Sequence, residues 1–275
     1  MLAASAVTTR WMDPELLVTV LITLPIPLLI VLEYLHPRRR DWLVSRTDLF
    51  EDAFWVLATY FVWYPIFDEH YDTPISDLFV SLRDASSFPY RLEAETLSGL
   101  LAAAMLGTFA IEFINYWVHR AMHRSKFLWR IHATHHHITK LSVAKADRTH
   151  PLEFLALNLG PVITLALLGA SDDVVGVVIV FAMTTSYVCH SNLPLVSGAF
   201  GWLFNTAQMH QLHHSCDFAE SNTNYGCAVI LWDRIFGTFS GKETIERAGN
   251  GSGRRLSLVE QLTIPFRSDE VLRDL

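Results

Sequence analysis

The stretch FLALNLGPVITLALLGAS, Phe154–Ser171, is followed after Asp172 and Asp173 by VVGVVIVFAMTTSYVC, Val174–Cys189. Both are uncharged, over 18 and 16 residues, just under the roughly 20 needed to cross hydrocarbon. Between them, Gly169-Ala170-Ser171-Asp172-Asp173 carries the breaker and capping residues of a tight helical hairpin. Working outward, three more uncharged runs come earlier: Leu16–Leu32, Ala53–Phe67 and Thr96–Ile111. Helices buried in a water-soluble core rarely go four turns without a charge, so five such runs predict an all-α, multi-pass transmembrane helical bundle. Pro25 and Pro27 interrupt the first run, which neighbouring helices tolerate in a membrane. Glu33 can lengthen it by reaching the headgroups. The 275 residues are 51% hydrophobic and 18% charged, so arrangement rather than composition carries this reading.

Charge orients the bundle. Of the 21 Lys and Arg residues, 18 lie after the first run, between Arg120 and Arg148, or beyond His190. Arg10, Arg83 and Arg91 lie on the other side. The positive-inside rule places the basic side in the cytoplasm, with the N-terminus and an acidic loop, Asp68–Glu95, outside. A net charge of −7 argues against a nucleic-acid partner. Three cysteines, Cys189, Cys216 and Cys227, form no CxxC pair, which excludes a disulfide framework and a cysteine-rich zinc or iron–sulfur site. No small-residue cleavage site follows the first run, so it reads as a retained anchor. Asn192–Met209, broken by Pro194, Gly198 and Gly201, reads as interfacial, and Gly249–Gly253 as a flexible surface loop.

The chemistry is in the histidines. His119-Arg-Ala-Met-His123 is an HxxxH box, and His132-Ala-Thr-His135-His136 and His210-Gln-Leu-His213-His214 are HxxHH boxes. Positions i, i+3 and i+4 share one side of a helix, so each box presents two or three imidazoles together. A chance HxxHH is expected roughly 0.03 times in such a chain, and two occur. Eight clustered imidazoles exceed the needs of one metal ion, which points to two. Imidazole suits iron, zinc, copper and nickel, so ligand type does not choose among them. The boxes lie beyond the ends of the apolar runs, which themselves contain no histidine. A metal transporter would line its path with histidines or carboxylates inside the spans. A zinc hydrolase would show His-Glu-x-x-His, which is absent.

At these residues the chain resembles the fatty acid hydroxylase superfamily, the sterol desaturase-like membrane di-iron oxygenases. The resemblance covers roughly residues 100–240 and rests on the three boxes in that order. Arg148-Thr-His150-Pro151-Leu-Glu153, His190-Ser-Asn192, Asn224-Tyr225-Gly226 and Trp232-Asp233-Arg234-Ile-Phe236-Gly237-Thr238 add to it. It implies two iron ions held by a histidine-rich cytoplasmic cap, with dioxygen as co-substrate. It also implies hydroxylation or desaturation of a sterol-like, fatty-acyl or related membrane lipid. Electrons would come from an external donor of cytochrome b5 or ferredoxin type, since the chain shows no nicotinamide, haem or iron–sulfur motif of its own. His190 matches a family histidine, giving an expected metal set of His119, His123, His132, His135, His136, His190, His210, His213 and His214. The expected organisation is a membrane anchor over 1–95 with two spans, a catalytic domain over 96–245 and a cytoplasmic tail over 246–275. The expected location is a bacterial inner membrane, with the endoplasmic reticulum membrane as the alternative.

Outside that set, Pro151 gives His150 a helix-entry reading. His137 falls off the shared face of its box and reads as exposed; His36 and His70 stand alone. Glu112 and Asn115, seven and four residues before His119, and Asp217 and Asn222 after the third box are expected to fix imidazole tautomers. Asp217 also fits a helix cap. Trp55, Trp63, Trp117 and Trp129 read as interfacial anchors.

Overall fold

The computed structural model describes residues 14–249 and 254–274, so residues 250–253 of the expected surface loop lie outside the described residues. Within them the chain is all helix and connection; the only β pairing is two isolated bridges, Phe204 with Val229 and Ser215 with Ala248. The helices are α1 (Pro14–Thr23), α2 (Pro25–Leu35), α3 (Arg46–Ala58), α4 (Tyr64–Phe67), α5 (Thr73–Ala85), α6 (Leu97–Arg124) and α7 (Lys126–His136). They continue as α8 (Pro151–Leu168), α9 (Asp172–His190), α10 (Ala207–His213), α11 (Phe218–Ser221), α12 (Leu231–Ile235), α13 (Leu258–Thr263) and α14 (Asp269–Asp274).

Four stretches are long and apolar enough to cross a membrane: Leu16–Leu35, Leu97–Arg124, Pro151–Leu168 and Asp172–His190. At most 28% of each apolar window is buried in the protein. Leu24, Leu28, Leu35, Leu101 and Leu106 all point outward and are more than half exposed. An apolar outer face on uncharged helices is what lipid contact requires.

Local chemistry sets the ends of these helices. Thr96 caps α6 by accepting from the Gly99 N–H at 3.1 Å. The α8–α9 hairpin turns on Gly169, whose φ of +60° is the left-handed conformation glycine adopts freely. Packing then uses small residues. A Cβ on Gly160 of α8 would stand 2.5 Å from Ile114 Cγ2 of α6, so glycine is what lets the two helices cross this closely. Ala104 and Ile111 of α6, Leu165 of α8, and Val174 and Val178 of α9 form the core between the three helices.

The second apolar run lies within a longer helical stretch that continues to Ala85. Ala53–Phe67 belongs to α3 and α4, joined through a π-turn at Thr59–Trp63. Its α3 end packs on the histidine side of the bundle, where Lys145 Nζ pairs with Asp52 Oδ1 at 2.6 Å. The residues expected as an acidic outer loop continue as helix to Ala85 beside α8; Asn158 donates to Asp72 at 2.9 Å.

Buried polar ties close that end. Glu33, at the foot of α2, accepts from the Val143 and Asn192 N–H groups at 2.9 and 2.7 Å. Residues 254–274 fold onto α7 and α3 through Gln261, which accepts from Trp55 Nε1 at 2.8 Å and whose carbonyl accepts from Thr134 at 2.9 Å.

Candidate metal centre

Ser125 makes the first two boxes face each other. Its extended backbone ends α6 and starts α7, with its Oγ accepting from the Leu128 N–H at 3.4 Å. The chain folds back there, bringing His119 and His123 opposite the α7 box. His190 enters as the last residue of α9, and α10 supplies His210 and His213, with His214 just past its end.

The nine expected histidines come together in two adjoining groups: His119, His123, His132, His136 and His213, and His135, His190, His210 and His214. Each HxxHH box is shared between them. Residues i and i+4 of the α7 box, His132 and His136, join the first group and His135 the second; in the α10 box, His210 and His214 join the second and His213 the first. Four residues restore nearly the same helix face whereas three fall short of a turn, so one box feeds two neighbouring centres. The groups abut where His136 stacks on His214, with ring centroids 4.6 Å apart.

In the first group, Nε2 atoms approach at 2.9 Å (His119–His132), 3.0 Å (His119–His213) and 3.1 Å (His136 to both His123 and His213). In the second they approach at 3.0 Å (His190–His210), 3.1 Å (His210–His214) and 3.3 Å (His135–His190). The opposite nitrogens are already committed. The Nδ1 of His119 donates to the Tyr225 carbonyl at 2.5 Å, that of His213 to Thr223 at 2.8 Å and that of His190 to Ser186 at 2.8 Å. His132 Nδ1 meets Glu153 Oε1 at 2.5 Å, and Glu153 has no solvent exposure. A neutral imidazole donating from Nδ1 offers only a lone pair at Nε2. The His119–His213 contact, between two rings that both donate to backbone carbonyls, is therefore lone pair against lone pair, which no hydrogen bond relieves and a cation does. Two metal–nitrogen bonds of about 2.1 Å at a right angle subtend about 3.0 Å, the spacing this pair has.

Burial keeps the rings in the ligand form. All nine are at most 7% exposed. The imidazoles of His132, His135, His136, His210, His213 and His214 lie well below the usual 6.5, first because burial penalises the cation and then through repulsion from neighbouring imidazoles.

Partners of the rings differ from those the sequence suggests. Glu112 touches no imidazole: it accepts from the Ala228 and Val229 N–H groups at 2.6 and 3.0 Å. Asp233 accepts from the Tyr225 and Gly226 N–H groups at 2.8 and 2.7 Å. Together the two carboxylates hold the turn whose Tyr225 carbonyl receives His119. Asp217 is a cap, accepting from the Ala219 N–H at 2.8 Å, and Asn222 accepts from the Tyr225 hydroxyl at 3.1 Å. His150 caps α8: its Nδ1 accepts from the Leu152 N–H at 3.1 Å and its Nε2 reaches the Leu262 carbonyl at 3.2 Å. His137 is buried, not exposed, donating to the Arg254 carbonyl at 2.6 Å. Trp55 is fully buried, so it is no interfacial anchor; Trp129 is half-buried with its ring 5.2 Å from that of His123, and Trp117 is 42% exposed.

Compared with known protein families, residues 104–238 match fatty acid hydroxylase. Over 139 residues the chain is 38% identical to the ornithine lipid hydroxylase OlsE of Rhizobium tropici, which covers 49% of this chain and 41% of that protein. It is 26% identical over 173 residues to human alkylglycerol monooxygenase, covering 60% and 35%. It is 34% identical over 140 residues to the very-long-chain aldehyde decarbonylase GL1-9 of Oryza sativa subsp. japonica, covering 50% and 54%. The matched region is thus about half of the chain or less than two-thirds, and no more than about half of each relative. No solved structure matches significantly.

Glu153 is the one carboxylate in contact with a histidine of either group among the described residues, which generates a test. Glu153→Leu frees the His132 ring and is expected to lower metal affinity about 10–100-fold, read by chelator competition. Glu112→Leu, which acts only through a turn, is expected to lower it less; equal losses would contradict the assignment.

Proposed function

The chain carries the fatty acid hydroxylase domain of that superfamily over residues 104–238, and from that premise we propose that it is a non-haem membrane oxygenase that hydroxylates or desaturates a lipid. The observation that carries the reading is the two adjoining groups of buried imidazoles whose ring nitrogens converge. On this reading His119, His123, His132, His136 and His213 hold one iron ion, and His135, His190, His210 and His214 hold the other. Bound there, iron supplies dioxygen chemistry strong enough to break an unactivated C–H bond, with electrons from an external donor of cytochrome b5 or ferredoxin type.

The protein's own part is geometric and electrostatic. Backbone carbonyls and Glu153 hold His119, His190, His213 and His132 by Nδ1, so their Nε2 atoms are fixed before metal arrives. Burial excludes water from the reacting volume and keeps each ring neutral. The four apolar helices end at this cap, which brings it within reach of a lipid whose polar end stays wet. Relatives named as lipid hydroxylases and monooxygenases support a lipid substrate. The basic side of the charge bias supports a cytoplasmic cap, and the Rhizobium relative supports a bacterial inner membrane.

Two measurements test this. Total lipids from a host with and without the chain, compared by mass spectrometry, are expected to show a product 16 Da heavier or 2 Da lighter than its parent, about the mass of one oxygen or two hydrogens. His135→Ala is expected to abolish that product, and His70→Ala, exposed on the helix beside α8, to leave it unchanged. Normal oxidation by the His135 variant would end the reading. Separately, a C-terminal alkaline phosphatase fusion is expected to stay inactive; strong activity would reverse the orientation.

A further inference from the structure

A pocket of about 360 Å³ opens beside the second histidine group, lined by Arg38, Arg39, Trp42, Gln208, Gln211 and Glu243 among others. Arg38 stands three residues past the end of α2, the depth at which lipid headgroups begin. The pocket is built rigidly onto the metal-side framework. The Arg38 N–H donates to the Asn192 carbonyl at 2.8 Å and the Arg39 N–H to Asn192 Oδ1 at 2.9 Å; Asn192 Nδ2 returns a bond to the Arg39 carbonyl at 2.9 Å. Asn192 lies two residues beyond His190. On the other wall Gln211 directly follows His210 and donates to the Ser191 carbonyl at 2.9 Å. Both walls are therefore fixed within two residues of the four-histidine group.

The two arginines are in different states. Arg39 is saturated by Asp41 and by the Ile245 and Glu246 carbonyls, and its guanidinium lies over Trp42 at 4.5 Å. Arg38 donates through Nη2 to the Glu243 carbonyl at 2.7 Å, while its Nη1 is buried with no acceptor. The Glu243 carboxylate lies near enough to favour the Arg38 charge. A buried guanidinium N–H without a partner is costly, and its planar fork fits a phosphate or carboxylate.

We propose that this pocket holds the acidic group, phosphate or carboxylate, of a polar lipid headgroup through Arg38, so that the adjoining part of the lipid lies over the four-histidine group. The proposal rests on the reading that a membrane lipid is the substrate, but binding can be measured without turnover. The test uses the full metal-loaded chain, kept anaerobic and without electron donor, in phosphatidylcholine nanodiscs containing phosphatidic acid. Native mass spectrometry then counts retained phosphatidic acid.

Arg38→Gln is expected to lower retention roughly tenfold. Glu243→Gln, which removes a like charge while leaving the backbone contact to Arg38, is expected to raise it about threefold. Because one variant should weaken binding and the other strengthen it, a general folding defect cannot imitate the pair. Millimolar inorganic phosphate is expected to leave the lipid in place; displacement would mark a free-anion site and overturn the lipid assignment. Equal retention by wild type and both variants would also overturn it. So would unchanged retention by Arg38→Gln together with slower reduction in a separate assay to which a donor protein is added, which would mark the face as a protein dock. Retention as expected with no oxidised lipid in the host would count against the oxygenase reading alone.

Discussion

Nine buried imidazoles with their ring nitrogens converging inside the protein are the constraint the rest of the structure serves. Left to themselves, neutral rings at 2.9–3.3 Å would turn to pair or take up water. Four of them, His119, His132, His190 and His213, are held because their opposite nitrogens are tied. Tyr225, Thr223 and Ser186 carbonyls and the Glu153 carboxylate each take an Nδ1 proton. Those acceptors are themselves held: Tyr225 by Glu112 and Asp233, and Glu153 by its place in the first turn of α8, which His150 and Pro151 start. A cation would relieve the lone-pair contact between His119 and His213, which fits a site shaped to hold metal.

The membrane helices serve the same constraint at longer range. α6, α8 and α9 meet through small residues, with Gly160 against Ile114 and Gly107 against Val178. This close contact puts the histidine-bearing ends of α6 and α9, which carry His119, His123 and His190, beside the start of α8, which carries Glu153. The first span adds no ring, but its Glu33 fixes two loop N–H groups beside the cap. The 28-residue length of α6 carries the first box beyond the apolar stretch to the level of the other two.

The histidine arrangement was legible because side-chain type and helical spacing carry it. HxxHH contains the whole logic of the shared box: i and i+4 go to one centre and i+3 to the other. The all-helical architecture was legible for a similar reason, since uncharged runs and the Gly169 turn are local signals. The supports of the rings were less so. Three of the clearest are backbone carbonyls, which any residue type supplies, so nothing in the sequence marks Tyr225, Thr223 or Ser186. Spacing on α6 favoured Glu112, yet its carboxylate points to the 228–229 turn. Glu153 carries a weak signal that could have found it: a lone acid at the very start of a long apolar helix. Trp55 was misread because a large apolar side chain looks the same beside lipid as beside Gln261.

The most direct test of two histidine-only centres is X-ray absorption at the iron edge on anaerobically purified, iron-loaded protein. A first shell of nitrogen or oxygen at about 2.1 Å, with the outer-shell scattering of four or five imidazoles per iron, is the expected result. A sulfur shell, or imidazole scattering from only one or two rings per metal, would contradict the account.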